Sequence, residues 1–170
     1  MIIQYIAVIL AAVIGIVLQT TQLRFLTDDL QVDLLFVIVV ILGLYKDPVH
    51  GSIKSCSIGY FQDLFHPEVT GLFMTARMVV FLAAQMLRGR LSPDTPLAQF
   101  IIALGLGVLD RGVVMLLQSI FSVPPSLTAN TLFYMLIGTV INAALVPFAY
   151  LLFRMVPGFI ELPRGPRIVR

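Results

Sequence analysis

Long apolar stretches separated by short polar segments run through this 170-residue sequence and limit what it can fold into. A helix needs about twenty apolar residues to span a bilayer, although helices inside a bundle can be shorter or more polar. Hydrophobic residues make up 59% of the chain and charged residues only 12%. A soluble domain carries roughly a quarter charged residues. We therefore predict a polytopic membrane protein with little left over for a soluble domain.

Six of these stretches are predicted to be spanning helices of one all-α integral membrane domain covering residues 1–170. The third is the least hydrophobic, and we identify it by its periodicity rather than by its hydropathy. The predicted spans cover residues 2–19, 34–45, 51–65, 71–87, 97–121 and 129–153, with a short basic tail over 154–170. The expected fold is a compact bundle of six transmembrane helices.

The distribution of basic residues predicts the orientation of this bundle. With the N-terminus in the cytoplasm, the outer segments hold a single basic residue outside the spans, Arg24. The cytoplasmic segments then hold eight, which are Lys46, Lys54, Arg88, Arg90, Arg154, Arg164, Arg167 and Arg170. Basic residues concentrate on the cytoplasmic side of membrane proteins, so both termini are predicted to be cytoplasmic. The outer loops conversely carry acidic residues, which are Asp28, Asp29, Asp33, Asp63 and Glu68.

A stripe of small and polar residues runs along the third predicted span. Its members recur at every fourth position and are Gly51, Ser55, Gly59 and Asp63. A separate, apolar face carries Ile53, Cys56, Tyr60 and Leu64. Residues four apart share one face of a helix, and small residues there allow another helix backbone to approach closely. We therefore expect this helix to be buried in the bundle, with Asp63 at its outer end.

Apart from Lys54 near the cytoplasmic end of the third span, four charged residues lie within or at the end of predicted spans: Asp63, Arg77, Asp110 and Arg111. Charges in spans are costly and face the protein interior or a wet cavity. Adjacent residues point about 100° apart on a helix, so Asp110 and Arg111 each need a partner. By depth we expect Arg77 to pair with Asp110, and Asp63 with Arg77 or Arg111. A structural or assembly role is favoured over a polar binding site or a proton relay.

Further polar and small residues are expected to support helix packing near these charges. Gln62 and Asn142 are polar candidates, and Asn142 is predicted to form a hydrogen bond between helices. Gly105, Gly107 and Gly112 flank the Asp110 position and are predicted to permit close helix approach.

The sequence offers no recognisable set of catalytic or metal-binding residues. It has one cysteine, Cys56, and its two histidines, His50 and His66, are far from other ligand types. Phosphate-binding, dinucleotide-binding and nucleophile-elbow motifs are absent from the sequence. We expect no enzymatic activity, cofactor, metal or nucleic-acid partner. The basic tail is expected to contact anionic lipids, as clustered arginines beside a membrane do.

One region of the sequence resembles a known family. Asp33-Leu34-Leu35 begins a short apolar helix that ends at Gly43-Leu44-Tyr45, and Pro48, Gly51 and Gly59 follow. The pattern continues with Gln62-Asp63-Leu64 and closes with Gly71-Leu72. In this arrangement, from Asp33 to Leu87, the chain resembles the rod shape-determining protein MreD family.

This resemblance implies a non-catalytic subunit of the bacterial cell-elongation machinery in the inner membrane. Members of the family associate with MreC. That complex works with the RodA glycosyltransferase, a class B penicillin-binding protein and, indirectly, MreB filaments. The implied role is to scaffold or regulate lateral peptidoglycan synthesis.

One alternative has a comparable size and helix count: the substrate-binding subunit of an energy-coupling-factor transporter. In that case Asp63, Glu68, Arg77 and Arg111 would line an outward-facing pocket for a vitamin-like molecule.

Overall fold

The computed structural model describes residues 32–65, 71–88, 90–91, 93–121 and 129–155. These residues form five α-helices and contain no strand. The helices are α1 (Leu34–Tyr45), α2 (Pro48–Phe65), α3 (Leu72–Arg88), α4 (Pro96–Ile120) and α5 (Ala129–Arg154). Each helix end lies within three residues of the corresponding predicted span from the second to the sixth. The first predicted span, 2–19, and tail residues 156–170 lie outside the described residues.

Helix α1 is the centre of the bundle. It contacts all four of the other helices, and every residue from Leu35 to Tyr45 is buried. A helix that is apolar on all sides is stable only where all sides are covered, and α1 has that composition. Its twelve residues span about 18 Å, which is shorter than the hydrocarbon core of a bilayer. Polar residues cap both of its ends.

The two ends of α1 explain its short length. Before the helix, Asp33 has an extended backbone, and its carboxylate accepts the N–H of Phe36 at 3.0 Å. After the helix, Lys46 is again extended and donates its N–H to the carbonyl of Leu42 at 2.9 Å. An acidic N-cap satisfies backbone donors that a helix leaves unpaired. The following Pro48 then begins α2, and proline suits a first helical position.

The small and polar stripe on α2 faces the bundle as expected. Its four residues, Gly51, Ser55, Gly59 and Asp63, are all buried. At Gly59 the backbones of α2 and α3 come so close that an added Cβ would lie 2.5 Å from the Cα of Met74. The opposite face points outward and exposes Ile53, Tyr60 and Leu64. The stripe is therefore the surface along which α2 packs against α3.

The expectation for the three glycines of α4 is correct at only one position. A Cβ on Gly107 would lie 2.7 Å from Cγ2 of Thr139 on α5, so this glycine does allow close approach. At Gly105 and Gly112 a Cβ would meet nothing within 4 Å, and the prediction is wrong there. Gly105 and Gly112 are seven residues apart and therefore lie on the same side of α4, which is exposed. Gly107 lies about 200° around the helix from Gly105, on the side that packs against α5.

Helices α4 and α5 are long and apolar enough to cross a membrane, judged by length and composition. Both expose large apolar side chains along their outer faces. Examples are Ile101, Val108 and Leu116 on α4, and Leu136, Phe148 and Leu151 on α5. An exterior of this kind is typical of a surface that faces lipid rather than water. The structure is thus that of an all-helical protein with two candidate membrane spans among its described helices.

Candidate functional site

A network of polar side chains lies inside this apolar bundle. It joins all five described helices, because each helix or its cap supplies one member. The members are Asp33 before α1, Gln62 on α2, Arg77 on α3, Asp110 on α4 and Asn142 on α5, and all five are buried. Polar groups inside a protein are stable only when their hydrogen-bonding groups are paired. We refer to these five residues as the polar network.

Arg77 is the central member of the polar network and is completely buried. Its Nη1 donates to Oδ1 of Asp110 at 2.7 Å, and its Nη2 donates to Oδ2 of Asp33. Nε and Nη2 also donate to Oε1 of Gln62, at 3.1 and 3.0 Å. One guanidinium therefore bonds to residues of three other helix segments. Arginine suits this position because it presents its donors in a planar fork and keeps its charge.

The structure thus brings together the Arg77–Asp110 pair that helix depth predicted. The side chains of both partners are nearly inaccessible. A buried ion pair of this kind requires good geometry and additional hydrogen bonds to offset the loss of hydration. Asp33 and Gln62 supply those additional hydrogen bonds to the guanidinium.

Asp33 is the member of the polar network that the sequence-based prediction missed. We expected it in a polar outer loop, but it is a buried helix cap that forms a second ion pair with Arg77. Its Oδ2 also accepts from Nε2 of Gln62 at 3.3 Å, and its backbone N–H donates to Oδ1 of Asn142 at 2.9 Å. The predicted interhelical hydrogen bond of Asn142 is therefore present. An aspartate directly before an apolar run is an N-cap signal, and that signal was available in the sequence.

Asp63 has a different role from the one predicted. Its two carboxylate oxygens accept the backbone N–H groups of Phe73 at 2.8 Å and Met74 at 3.1 Å. These are among the first residues of α3, so Asp63 on α2 caps the helix that follows it. Neither Arg77 nor Arg111 forms an ion pair with Asp63 among the described residues. The predicted pairing was wrong because backbone donors at a helix start are an alternative partner for a carboxylate.

Arg111 lies at the edge of the polar network and is partly exposed. Its charge acts on the carboxylates of both Asp33 and Asp110. Arg111 is therefore a second cation, besides Arg77, that acts on the two acids of the polar network.

The surroundings of Arg77 are apolar. The rings of Phe36 and Phe73 lie next to it, with their centroids 5.8 and 5.9 Å from the guanidinium carbon. Cations at this distance from an aromatic face are attracted to it. Among the described residues, no group of three or more histidine, cysteine, aspartate or glutamate side chains is placed to hold a metal. The contacts of the polar network are hydrogen bonds and ion pairs that connect the helices.

Comparison with known proteins agrees with the motif-based assignment. The sequence model of the rod shape-determining protein MreD family matches residues 1–156. That range is wider than the Asp33 to Leu87 region on which the resemblance rested. No curated protein and no solved structure matches the chain. Because the match covers nearly the whole sequence, the chain belongs to the rod shape-determining protein MreD family.

Proposed function

We propose that this protein is a non-catalytic, multi-pass subunit of the bacterial cell-elongation complex in the inner membrane. In this proposal it has six spans with both termini in the cytoplasm, and it helps an MreC-like single-span protein to organise lateral peptidoglycan synthesis. A RodA-type glycosyltransferase and a class B penicillin-binding protein carry out the synthesis, and MreB filaments are linked to it indirectly. The observation that carries the proposal is the family match over residues 1–156.

The polar network supports a scaffolding role. The guanidinium of Arg77 donates hydrogen bonds to Asp33, Gln62 and Asp110, and these bonds connect different helices of the bundle. A rigid bundle with an apolar exterior is suited to present a fixed surface to the membrane segments of partners. The vitamin-transporter alternative is not favoured, because the family match is to a shape-determining protein.

The experiment that tests the proposal is depletion of the protein in its own host, combined with affinity purification of the tagged full-length chain. We expect depleted cells to lose their rod shape, and the MreC-like protein to co-purify from detergent extracts. An unrelated single-span protein of the same membrane is the control for non-specific recovery. If cells keep their shape and the MreC-like protein is absent from the purified fraction, the proposal is wrong.

The orientation can be tested separately by labelling single cysteines in intact cells. In a variant with Cys56 replaced by serine, a cysteine is introduced at Val123. The proposed topology places Val123 outside, so an impermeant maleimide should label this cysteine in intact cells. Labelling only after permeabilisation would place the loop in the cytoplasm and contradict the proposed topology. A cysteine at Ser92 provides the opposite control, since the proposal places it in the cytoplasm.

A further inference from the structure

A second set of polar contacts lies at the other end of the bundle from the polar network. There the side chains of Gln85 and Arg88, near the end of α3, both donate to the backbone carbonyl of Lys46, each at 2.8 Å. Arg88 is therefore held at the junction between α1 and α2. It forms no other hydrogen bond among the described residues, so its remaining guanidinium donors are available to a ligand.

The chain just after Arg88 is also anchored. The N–H groups of Arg90 and Leu91 donate to the carbonyl of Leu87 at 3.0 and 2.8 Å, which closes the end of α3 in a turn. Arg90 itself is exposed. Two arginines therefore occur two residues apart at one corner of the bundle, and we call Arg88 and Arg90 the basic corner.

The start of the next helix is fixed to the same end of the bundle. The carbonyl of Pro93 accepts from the hydroxyl of Tyr45 at 2.7 Å and from Nε2 of Gln99 at 3.1 Å. Gln99 also donates to the Tyr45 hydroxyl at 2.8 Å, and the Tyr45 ring packs on Tyr150 of α5 with centroids 4.6 Å apart. The basic corner thus lies between two anchored points, at Lys46 and at Pro93.

Charge and exposure at this end fit a membrane surface. The described basic residues here are Lys46, Lys54, Arg88, Arg90 and Arg154, and the described acidic residues are Asp47 and Asp94. Lys46 and Lys54 are buried, whereas Arg90 and Arg154 are exposed. Large apolar side chains beside the basic corner are exposed, namely Met86, Leu91 and Leu97. Basic groups next to exposed apolar side chains are typical of a segment at the headgroup level of a bilayer.

We propose that the basic corner binds the phosphate of an anionic phospholipid, with the acyl chains lying along the exposed apolar side chains beside it. An arginine held by a backbone carbonyl loses little conformational freedom when it binds a phosphate, and its planar fork matches phosphate oxygens. The lipid contact differs from that of the basic tail, which involves residues beyond Arg154. This inference goes beyond the shape-determining role and does not depend on it.

The test measures lipid preference on the purified full-length protein. The probe is a phosphatidylglycerol titration into protein held in phosphatidylcholine nanodiscs, read by native mass spectrometry of retained lipid. We expect the wild type to retain phosphatidylglycerol preferentially. Arg90→Gln should lower that preference about fivefold, since one basic residue near anionic lipid raises the binding affinity by about that factor. Arg90 is exposed, so this variant should keep the fold, which the unchanged thermal midpoint in phosphatidylcholine checks.

One control locates the effect. Arg154→Gln removes an exposed charge at the same end of the bundle, and it should lower the preference clearly less than Arg90→Gln does. The tail arginines are kept in every variant, because the tail is itself expected to contact anionic lipids. A loss as large in Arg154→Gln as in Arg90→Gln would overturn the proposal, as would equal retention of both lipids by the wild type. Inorganic phosphate that abolishes the preference at millimolar concentration would show a free-phosphate site and also overturn it. Normal cell shape in the Arg90→Gln strain would leave the proposed function intact.

Discussion

Arg77 and Asp110 form a buried ion pair between α3 and α4, with Nη1 and Oδ1 separated by 2.7 Å. The pair is not isolated, because the same guanidinium also bonds to Asp33 and Gln62. The polar network therefore works as a unit, because removing one member takes a hydrogen-bond partner from its neighbours in an apolar interior. The cost of such a change comes mainly from the stranded groups rather than from the lost attraction.

Replacing Arg77 with methionine tests this directly. The change keeps much of the volume but leaves two buried carboxylates without their cation, so we expect a loss of about 3–5 kcal/mol in the free energy of unfolding. The loss can be measured by denaturant titration of the protein in mixed micelles. Arg111→Met is the matched control at a partly exposed position, and its effect should be clearly smaller.

A second substitution checks the reason for that loss. Adding Asp110→Asn to the Arg77→Met variant removes one stranded charge and should recover part of the stability, since replacing a whole buried ionic group can be nearly neutral. If the double variant is less stable than Arg77→Met alone by the full effect of a single Asp110→Asn change, the two residues are not coupled.

The packing of α2 on α3 gives a second prediction. Gly59→Ala would place a Cβ 2.5 Å from the Cα of Met74, and a backbone atom cannot move aside as a flexible side chain does. We expect a loss of about 1–3 kcal/mol, the usual effect of overpacking. Gly105→Ala is the control, because nothing lies within 4 Å of its added Cβ. It should be neutral or stabilising, by up to about 1 kcal/mol, since alanine favours a helix. Thermal midpoints in one detergent provide the comparison, and equal effects of the two variants would contradict it.

The sequence predicted the helices well because hydropathy and four-residue periodicity are local properties. The bounds of α1, for example, match the predicted span at both ends. The pairing of Arg77 with Asp110 was also predictable, because a charge inside an apolar bundle is costly unless it is paired with an opposite charge at similar depth. Depth alone could not identify the partner of Asp63, because helix-start N–H groups compete with side chains for a carboxylate.

Asp33 shows why the rest could not be predicted in the same way. In the sequence it follows Asp28 and Asp29 within five residues, and this pattern predicts a polar loop. Its burial follows from the shortness of α1, which places the cap inside the bundle at the level of Asp110, a little past the middle of α4. Which end of a short helix is buried depends on the lengths of the helices packed around it, and that is a property of the assembled fold.

Among the described residues, one hydrogen bond connects Asn142 of α5 to the polar network, from the backbone N–H of Asp33 to Oδ1 of Asn142. Asn142→Leu removes this acceptor from a buried donor, so we expect a loss of about 1–3 kcal/mol. Asn130→Leu, at an exposed position on the same helix, is the matched control and should have little effect. Denaturant titration measures both. A loss for Asn130→Leu as large as for Asn142→Leu would mean that the effect is not specific to the hydrogen bond.

Asp63 gives the last prediction, because two kinds of substitution separate its charge from its capping role. Asp63→Ala removes both acceptors for the N–H groups of Phe73 and Met74, and we expect a loss of about 0.5–2 kcal/mol with faster hydrogen exchange at those two amides. Asp63→Asn keeps one acceptor oxygen and should have a smaller effect on both quantities, since asparagine is also a good N-cap. If Asp63 instead acted through its charge on an arginine, the two variants would be equally destabilised. The same pair of variants, compared for recovery of the MreC-like partner, tests whether a firmly capped α3 is needed for assembly.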